Sequence, residues 1–169
     1  MPDLKSELIA MIKAQGPLSI ATFFTECLLH PKYGYYTTRD PFGAQGDFTT
    51  APEISQMYGE MLGLFLAQTW RDQGNVAAFN LVELGPGRGT LIADILRATR
   101  TIAGFHSALQ LHLIEASPTL QALQAKTLIA FNPTWHTQLD TVPQGPLFLI
   151  ANEFFDALPI RQFIRDGQQ

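Results

Sequence analysis

The stretch FNLVELGPGRGTLIADILRA, residues 79–98, does most to restrict the fold. An apolar run, 79–84, passes without pause into Gly85, Gly87 and Gly89, and then into Leu91, Ile92, Ile95 and Leu96 at helical spacing. A strand that turns through glycines into a helix opens a βαβ unit, and so a parallel sheet. In an open sheet of that kind ligands bind beyond the carboxyl ends of the strands, where this turn lies. Gly85 allows a sharp exit, Gly87 allows a backbone to approach a ligand, and Gly89 lets the helix begin close to the strand with its N–H groups facing the site. Glu83 is the anomaly, an acid inside a run that is otherwise apolar.

The rest of the chain repeats the same grammar. Residues 109–115 (LQLHLIE) alternate like a strand, and 117–130 read as a helix opened by Ser117-Pro118. A short strand fits 134–138, and the apolar run 146–151 reads as another. The expected class is therefore α/β, an open Rossmann-like sheet with parallel strands. Four strands are fewer than such domains usually carry, so the sheet is expected to be incomplete in this chain, with 160–165 beginning a further element.

Ahead of the sheet the periodicity is helical. Residues 3–14 and 20–29 read as helices, the second capped by Ser19 and burying Phe23, Phe24, Leu28 and Leu29. Residues 30–53 are rich in Gly, Pro and aromatics and have no period. A loop this long is expected to be functional, and Tyr33, Tyr35, Tyr36, Phe42 and Phe48 argue that it is ordered. Thr50 and Glu53 fit a capping box with Pro52 in the first turn, so a long helix is expected over 51–72. Its buried stripe would be Ile54, Met57, Tyr58, Met61, Leu62, Phe65 and Leu66. Two regions result: 1–75, helical with a covering loop at 30–53, and 76–169, the first part of the sheet domain.

Composition narrows the function. Hydrophobic residues make up 46% of 169, enough for a real core. The net charge of −4, with no Lys/Arg cluster, argues against nucleic acid as partner. Cys27 is alone, and His30, His106, His112 and His136 lack ligand spacing, so no metal is expected. No apolar run approaches the roughly 20 residues of a membrane span. Asp3 and Glu7 near the start, with no apolar segment behind them, leave a cytoplasmic protein as the expectation.

Glycine spacing separates two cofactors. A dinucleotide turn, GxGxxG, would place its third glycine at position 90, which is Thr90. The order Glu83, Gly85, Gly87, Gly89 instead resembles motif I of the class I S-adenosylmethionine (SAM) methyltransferases. The next feature expected there is an acid ending the second strand, to accept bonds from two ribose hydroxyls. Glu115 ends LHLIE, and the two oxygens of a carboxylate suit a vicinal diol. The plainer alternatives are that Glu83 bonds the amides of its own turn and that Glu115 is an exposed strand end. A second polar cluster, LIANEFFDALP (149–159), runs from the last strand into Asn152, Glu153 and Asp156 with Phe154 and Phe155 between. Carboxylates beside aromatics suit a cationic, planar acceptor such as a guanidinium. The alternative is a helix cap at Asn152 with acids in its first turn.

With HPKYGYY (30–36), GDFTTAPEIS (46–55), YGE (58–60), VELGPGRGTL (82–91) and NEFFDALP (152–159), the chain resembles the MidA-like methyltransferases from about Gly16 to Phe163. The resemblance implies a class I methyltransferase fold with an N-terminal helical extension, SAM as cofactor and, in the family's mitochondrial branch, an arginine of a protein as acceptor, in proteins that assist respiratory complex assembly. It implies that Glu83, Gly85, Gly87 and Gly89 hold the methionine end of SAM and Glu115 the ribose. Asp47, Phe48, Thr49 and Ser55 would fold over the cofactor. Asn152, Glu153 and Asp156 would line the acceptor side, with Glu153 the first candidate for the catalytic carboxylate. Family members are considerably longer than this chain. The competing class is a non-catalytic module that keeps the SAM fold and grips a partner through 30–53.

Overall fold

The computed structural model describes residues 3–38, 50–165 and 167. The chain forms two compact units, 1–40 with 155–169, and 41–154.

In the first unit, α1 (Leu4–Gln15) is capped by Asp3, whose Oδ1 accepts from the Ser6 N–H at 2.8 Å, and it ends at Gly16, φ 86°. α2 (Ile20–Leu29) is capped by Ser19, whose hydroxyl accepts from the Thr22 N–H at 3.0 Å. Neither helix has a fully buried residue. The expected burial of Phe23, Phe24, Leu28 and Leu29 does not occur: Phe23 and Leu29 are exposed, and the other two are half-buried. Two short helices have too little mass to enclose large side chains.

His30 organises the HPKYGYY turn. Its Nδ1 accepts from the N–H groups of Lys32 (3.0 Å) and Tyr33 (3.2 Å), and its Nε2 lies 3.1 Å from Glu7. The turn runs into α3 (Tyr35–Thr38), too short to show as a periodicity. Phe155–Ala157 form a 3-10 turn. The element expected at 160–165 is not formed; those residues are irregular.

In the second unit the long helix expected over 51–72 is two, α4 (Ala51–Ile54) and α5 (Gln56–Asp72), broken at Ser55, which is extended (φ −146°, ψ 117°). The capping box is not made. The Thr50 side chain bonds no helix N–H, and Glu53 turns away to accept the Thr90 hydroxyl at 2.6 Å. Then follow β1 (Phe79–Leu84), α6 (Thr90–Ala98), α7 (Phe105–Ala108), β2 (Leu109–Ile114), α8 (Pro118–Thr127), β3 (Thr134–His136) and β4 (Leu147–Ile150). The four strands are parallel in the order β3-β2-β1-β4. Every residue of β1 is buried, as a central parallel strand requires.

Side-chain alternation along β1 divides the core. Phe79 and Leu81 join Trp70, Ile92, Ile95, Phe105 and Leu113. Val82 and Leu84 pack on the opposite face with Ile114. On that face a polar chain satisfies itself: the ring nitrogens of His112 meet His136 Nε2 (3.0 Å) and the side-chain Oδ1 of Asn80 (3.2 Å).

α5 overturns the expected stripe. Its buried face is Gly59, Gly63, Leu66, Ala67 and Trp70, while Ile54, Met57, Tyr58, Met61 and Phe65 are exposed, Met57 at 66% and Phe65 at 65%. The glycines decide the face, because they allow the closest approach to α6. A Cβ on Gly63 would stand 2.9 Å from both the Cα and the carbonyl oxygen of Ile95. Gly63→Ala is therefore expected to destabilise the protein by about 1–3 kcal/mol through overpacking. Chemical denaturation measures this, and a midpoint equal to the parent's would mean that α5 does not lie against α6 here.

Candidate cofactor site

β1 lies between β2 and β4, and the chain leaves it for opposite sides of the sheet, so the carboxyl end of β1 is the topological switch point. There the glycine turn takes three left-handed residues in alternation: Gly85 (φ 60°), Gly87 (φ 55°) and Gly89 (φ 82°). Side chains rarely tolerate that conformation. The turn is fixed by the Gly85 N–H donating to the Ile114 carbonyl (3.0 Å) and the Gly89 N–H donating to Pro86 (2.8 Å). Gly89 is also the N-cap of α6 and brings no side chain to the helix end.

Gly85 has a second reason to be glycine. A Cβ there would lie 2.6 Å from Cδ2 of Phe154, so the aromatic ring of the NEFF stretch packs directly on the turn. The space above Gly85 is filled by the protein itself.

Glu83 points to the side of Phe79 and Leu81, and only 3% of its surface is exposed. Its Oε2 is a buried acceptor with no hydrogen-bond partner among the described residues. Burial pushes the carboxyl up to about 8, so it is largely protonated at neutral pH. A buried carboxyl oxygen of this kind suits a cationic group, and it fits the ammonium of SAM.

Glu115 is buried, so the exposed-strand-end alternative fails. Its Oε1 accepts from the Ser117 N–H (2.8 Å) and its Oε2 from the Gln124 amide (3.1 Å). Burial raises its carboxyl above the ordinary value, and these bonds oppose the rise. A carboxylate oxygen has two lone pairs, so one on each oxygen is left for a diol.

Gln124 was not legible as a site residue. It is fully buried on α8, where Leu120, Gln124 and Leu128 make a row at spacing four that is apolar but for the amide. That interruption is the signal a reading of the sequence could have used.

Asn152 and Glu153 follow β4. The side-chain Oδ1 of Asn152 accepts from the Tyr58 hydroxyl at 2.9 Å, which ties this stretch to α5. Glu153 is exposed and has φ 47°, left-handed although it is not glycine. Such residues concentrate at functional sites, where the surrounding structure holds the strain. Asp156 belongs to the other compact unit, in the 3-10 turn, so the second unit does not contain the full expected acidic cluster. The helix capped at Asn152 is not formed. Ser55 is exposed at the break between α4 and α5, and Asp47, Phe48 and Thr49 lie outside the described residues.

Residues 61–169 match the model of a family described as "Putative S-adenosyl-L-methionine-dependent methyltransferase". The chain belongs to this methyltransferase family. It is similar to the mitochondrial protein arginine methyltransferase NDUFAF7 of Homo sapiens, 40% identical over 95% of this chain and 42% of that protein. It is also similar to the Bos taurus protein of that name, 41% identical over 92% of this chain and 41% of that one. The NDUFAF7 homolog of Drosophila melanogaster is 39% identical over 98% of this chain and 43% of that protein. The chain thus spans less than half the length of these relatives. A crystal structure from Burkholderia thailandensis bound to S-adenosyl-homocysteine superposes with a TM-score of 0.75 at 27% identity, over 92% of this chain and 42% of that one. The class I fold expected from motif I is therefore present. The expectation of a cytoplasmic protein is overturned, because the relatives are mitochondrial proteins by name. Among the described residues no helix is long and apolar enough to cross a membrane.

Proposed function

We propose that this chain carries the SAM-binding part of a methyltransferase whose acceptor is an arginine side chain of a protein, with a respiratory complex subunit in assembly as the partner class. The observation that carries the reading is the placement of two buried acids, Glu83 and Glu115, at the carboxyl ends of adjacent parallel strands, on either side of three left-handed glycines. The arginine acceptor is supported by the names of the relatives.

In this reading Glu83 faces the ammonium of the methionine end, Gly85, Gly87 and Gly89 shape the turn that holds it, and Glu115 accepts from the ribose hydroxyls. The stretch GDFTTAPEIS, 46–55, folds over the cofactor, with Asp47, Phe48, Thr49 and Ser55 as its candidate contacts, and 76–169 begin the binding domain. SAM supplies a methyl group already activated on a sulfonium. The protein then has to position the acceptor and exclude water. Glu153 holds the guanidinium through charge-assisted bonds, orients a nitrogen lone pair, and takes the proton released on methylation. Asn152 lines that side, and Asp156 is the second candidate.

Glu153→Gln tests the assignment. S-adenosylhomocysteine affinity should stay within about twofold, while transfer of labelled methyl to protein arginine falls by roughly 10²–10⁴. Unchanged turnover would remove Glu153 from the reaction. The exposed apolar side of α5 favours one competing reading, a non-catalytic assembly module. That module would bind the cofactor and transfer no label in either protein.

A further inference from the structure

We propose that Gln124 is a positioning residue that locks the ribose acid to the glycine turn, so that the two ends of the cofactor site move as one piece. The inference rests on the SAM-site reading above. Its observation is separate: one fully buried amide with every strong hydrogen-bonding atom engaged. Nε2 donates to the Gly87 carbonyl at 2.8 Å and to Glu115 Oε2 at 3.1 Å, and Oε1 accepts from the Trp135 indole N–H at 2.8 Å. The orientation of the amide is forced. A backbone carbonyl and a carboxylate only accept, and an indole N–H only donates, so a flipped amide would lose all three bonds.

The three partners come from three elements: the turn after β1, the end of β2, and β3. Gln124 also backs the turn, since a Cβ on Gly89 would stand 3.6 Å from its Cγ. With Ser117 holding Oε1, the amide fixes the second oxygen of Glu115 and so the plane of the carboxylate. The remaining lone pairs then keep a constant direction, as two adjacent hydroxyls demand. Without the amide, Glu115 would keep one tether and could rotate about it. Burial would also disfavour its charge with less opposition, which weakens it as an acceptor.

Gln124→Met keeps the length and bulk of the side chain and removes the polar atoms. Calorimetric titration with S-adenosylhomocysteine and with its 2′,3′-dideoxy analogue separates positioning from general damage. The expected result is a loss of roughly tenfold or more for S-adenosylhomocysteine and under about threefold for the analogue, which has no diol for Glu115 to hold. In a Glu115→Gln background the same substitution should cost S-adenosylhomocysteine under about threefold, because the two residues act through one contact.

Trp135→Phe is the second variant, for the case in which Gln124→Met does not fold. It removes only the bond that holds Oε1, and should weaken S-adenosylhomocysteine by roughly threefold or more without weakening the analogue. Equal losses for both ligands, additive losses with Glu115→Gln, or no loss in a folded variant would overturn the role of Gln124 and leave the SAM site standing. No binding of S-adenosylhomocysteine by the unsubstituted protein would overturn the site reading and this inference together.

Discussion

Gly85→Val is expected to abolish S-adenosylhomocysteine binding and to cost the fold several kcal/mol. Two effects add. The position has φ 60°, where a β-branched residue is strongly disfavoured, at about 1–3 kcal/mol. The first atom of the new side chain would also stand 2.6 Å from the Phe154 ring, an overpacking of about the same cost. The ring cannot stay where it is, so the turn and the stretch Asn152–Phe154 shift together. Phe154→Ala separates the two contributions. In a Phe154→Ala background Gly85→Val should cost less stability than in the parent, because the collision is gone and the backbone strain is not. Binding should stay lost. Full stability of Gly85→Val in a denaturation experiment would mean that position 85 is not left-handed and that Phe154 does not rest on the turn.

Glu83→Gln carries the second large effect, and its sign depends on pH. The native carboxyl sits at about 8, against 4.5 ordinarily. Between those values the native protein keeps a proton that the unfolded chain has released. Native protein binds more protons than unfolded, so stability falls as pH rises through the window, by up to about 1.4 kcal/mol per pH unit. Below about pH 4.5 both states are protonated and the dependence vanishes. The amide of Glu83→Gln does not titrate. The variant should therefore come closest to the parent below about pH 4.5 and exceed it by a few kcal/mol above pH 8. Denaturation midpoints across pH 5–9 read this directly. Parallel pH profiles for parent and variant would show that Glu83 is not buried as described. The same variant should bind S-adenosylhomocysteine at least tenfold more weakly, since a neutral amide cannot pair with an ammonium. Gaining stability while losing affinity is the mark of an acid kept for binding rather than for folding.

The features legible in the sequence were those carried by local chemistry. β1, its three glycines and α6 follow from one stretch of twenty residues, and Ser19 and Ser117 cap the helices they precede. Strand ends were legible too, because Glu83 and Glu115 interrupt or close apolar runs. What escaped was decided by tertiary contact. The helix over 51–72 breaks at Ser55, where Glu53 leaves its capping box for the Thr90 hydroxyl. The buried face of α5 is set by Gly59 and Gly63, which carry almost no hydropathy and win through distance of approach. Phe154 against Gly85 and Gln124 against Gly87 join residues tens of positions apart, and no period in the sequence records such pairs.

Titrating the protein with S-adenosylhomocysteine in a calorimeter at pH 7, in two buffers of different ionisation enthalpy, decides whether Glu83 and the glycine turn hold the cofactor. Saturable binding at about one site per chain is expected, abolished in Gly85→Val, with net release of protons as the ligand's ammonium draws the proton from Glu83. A folded protein that does not bind, or one that binds equally well with valine at position 85, would contradict it.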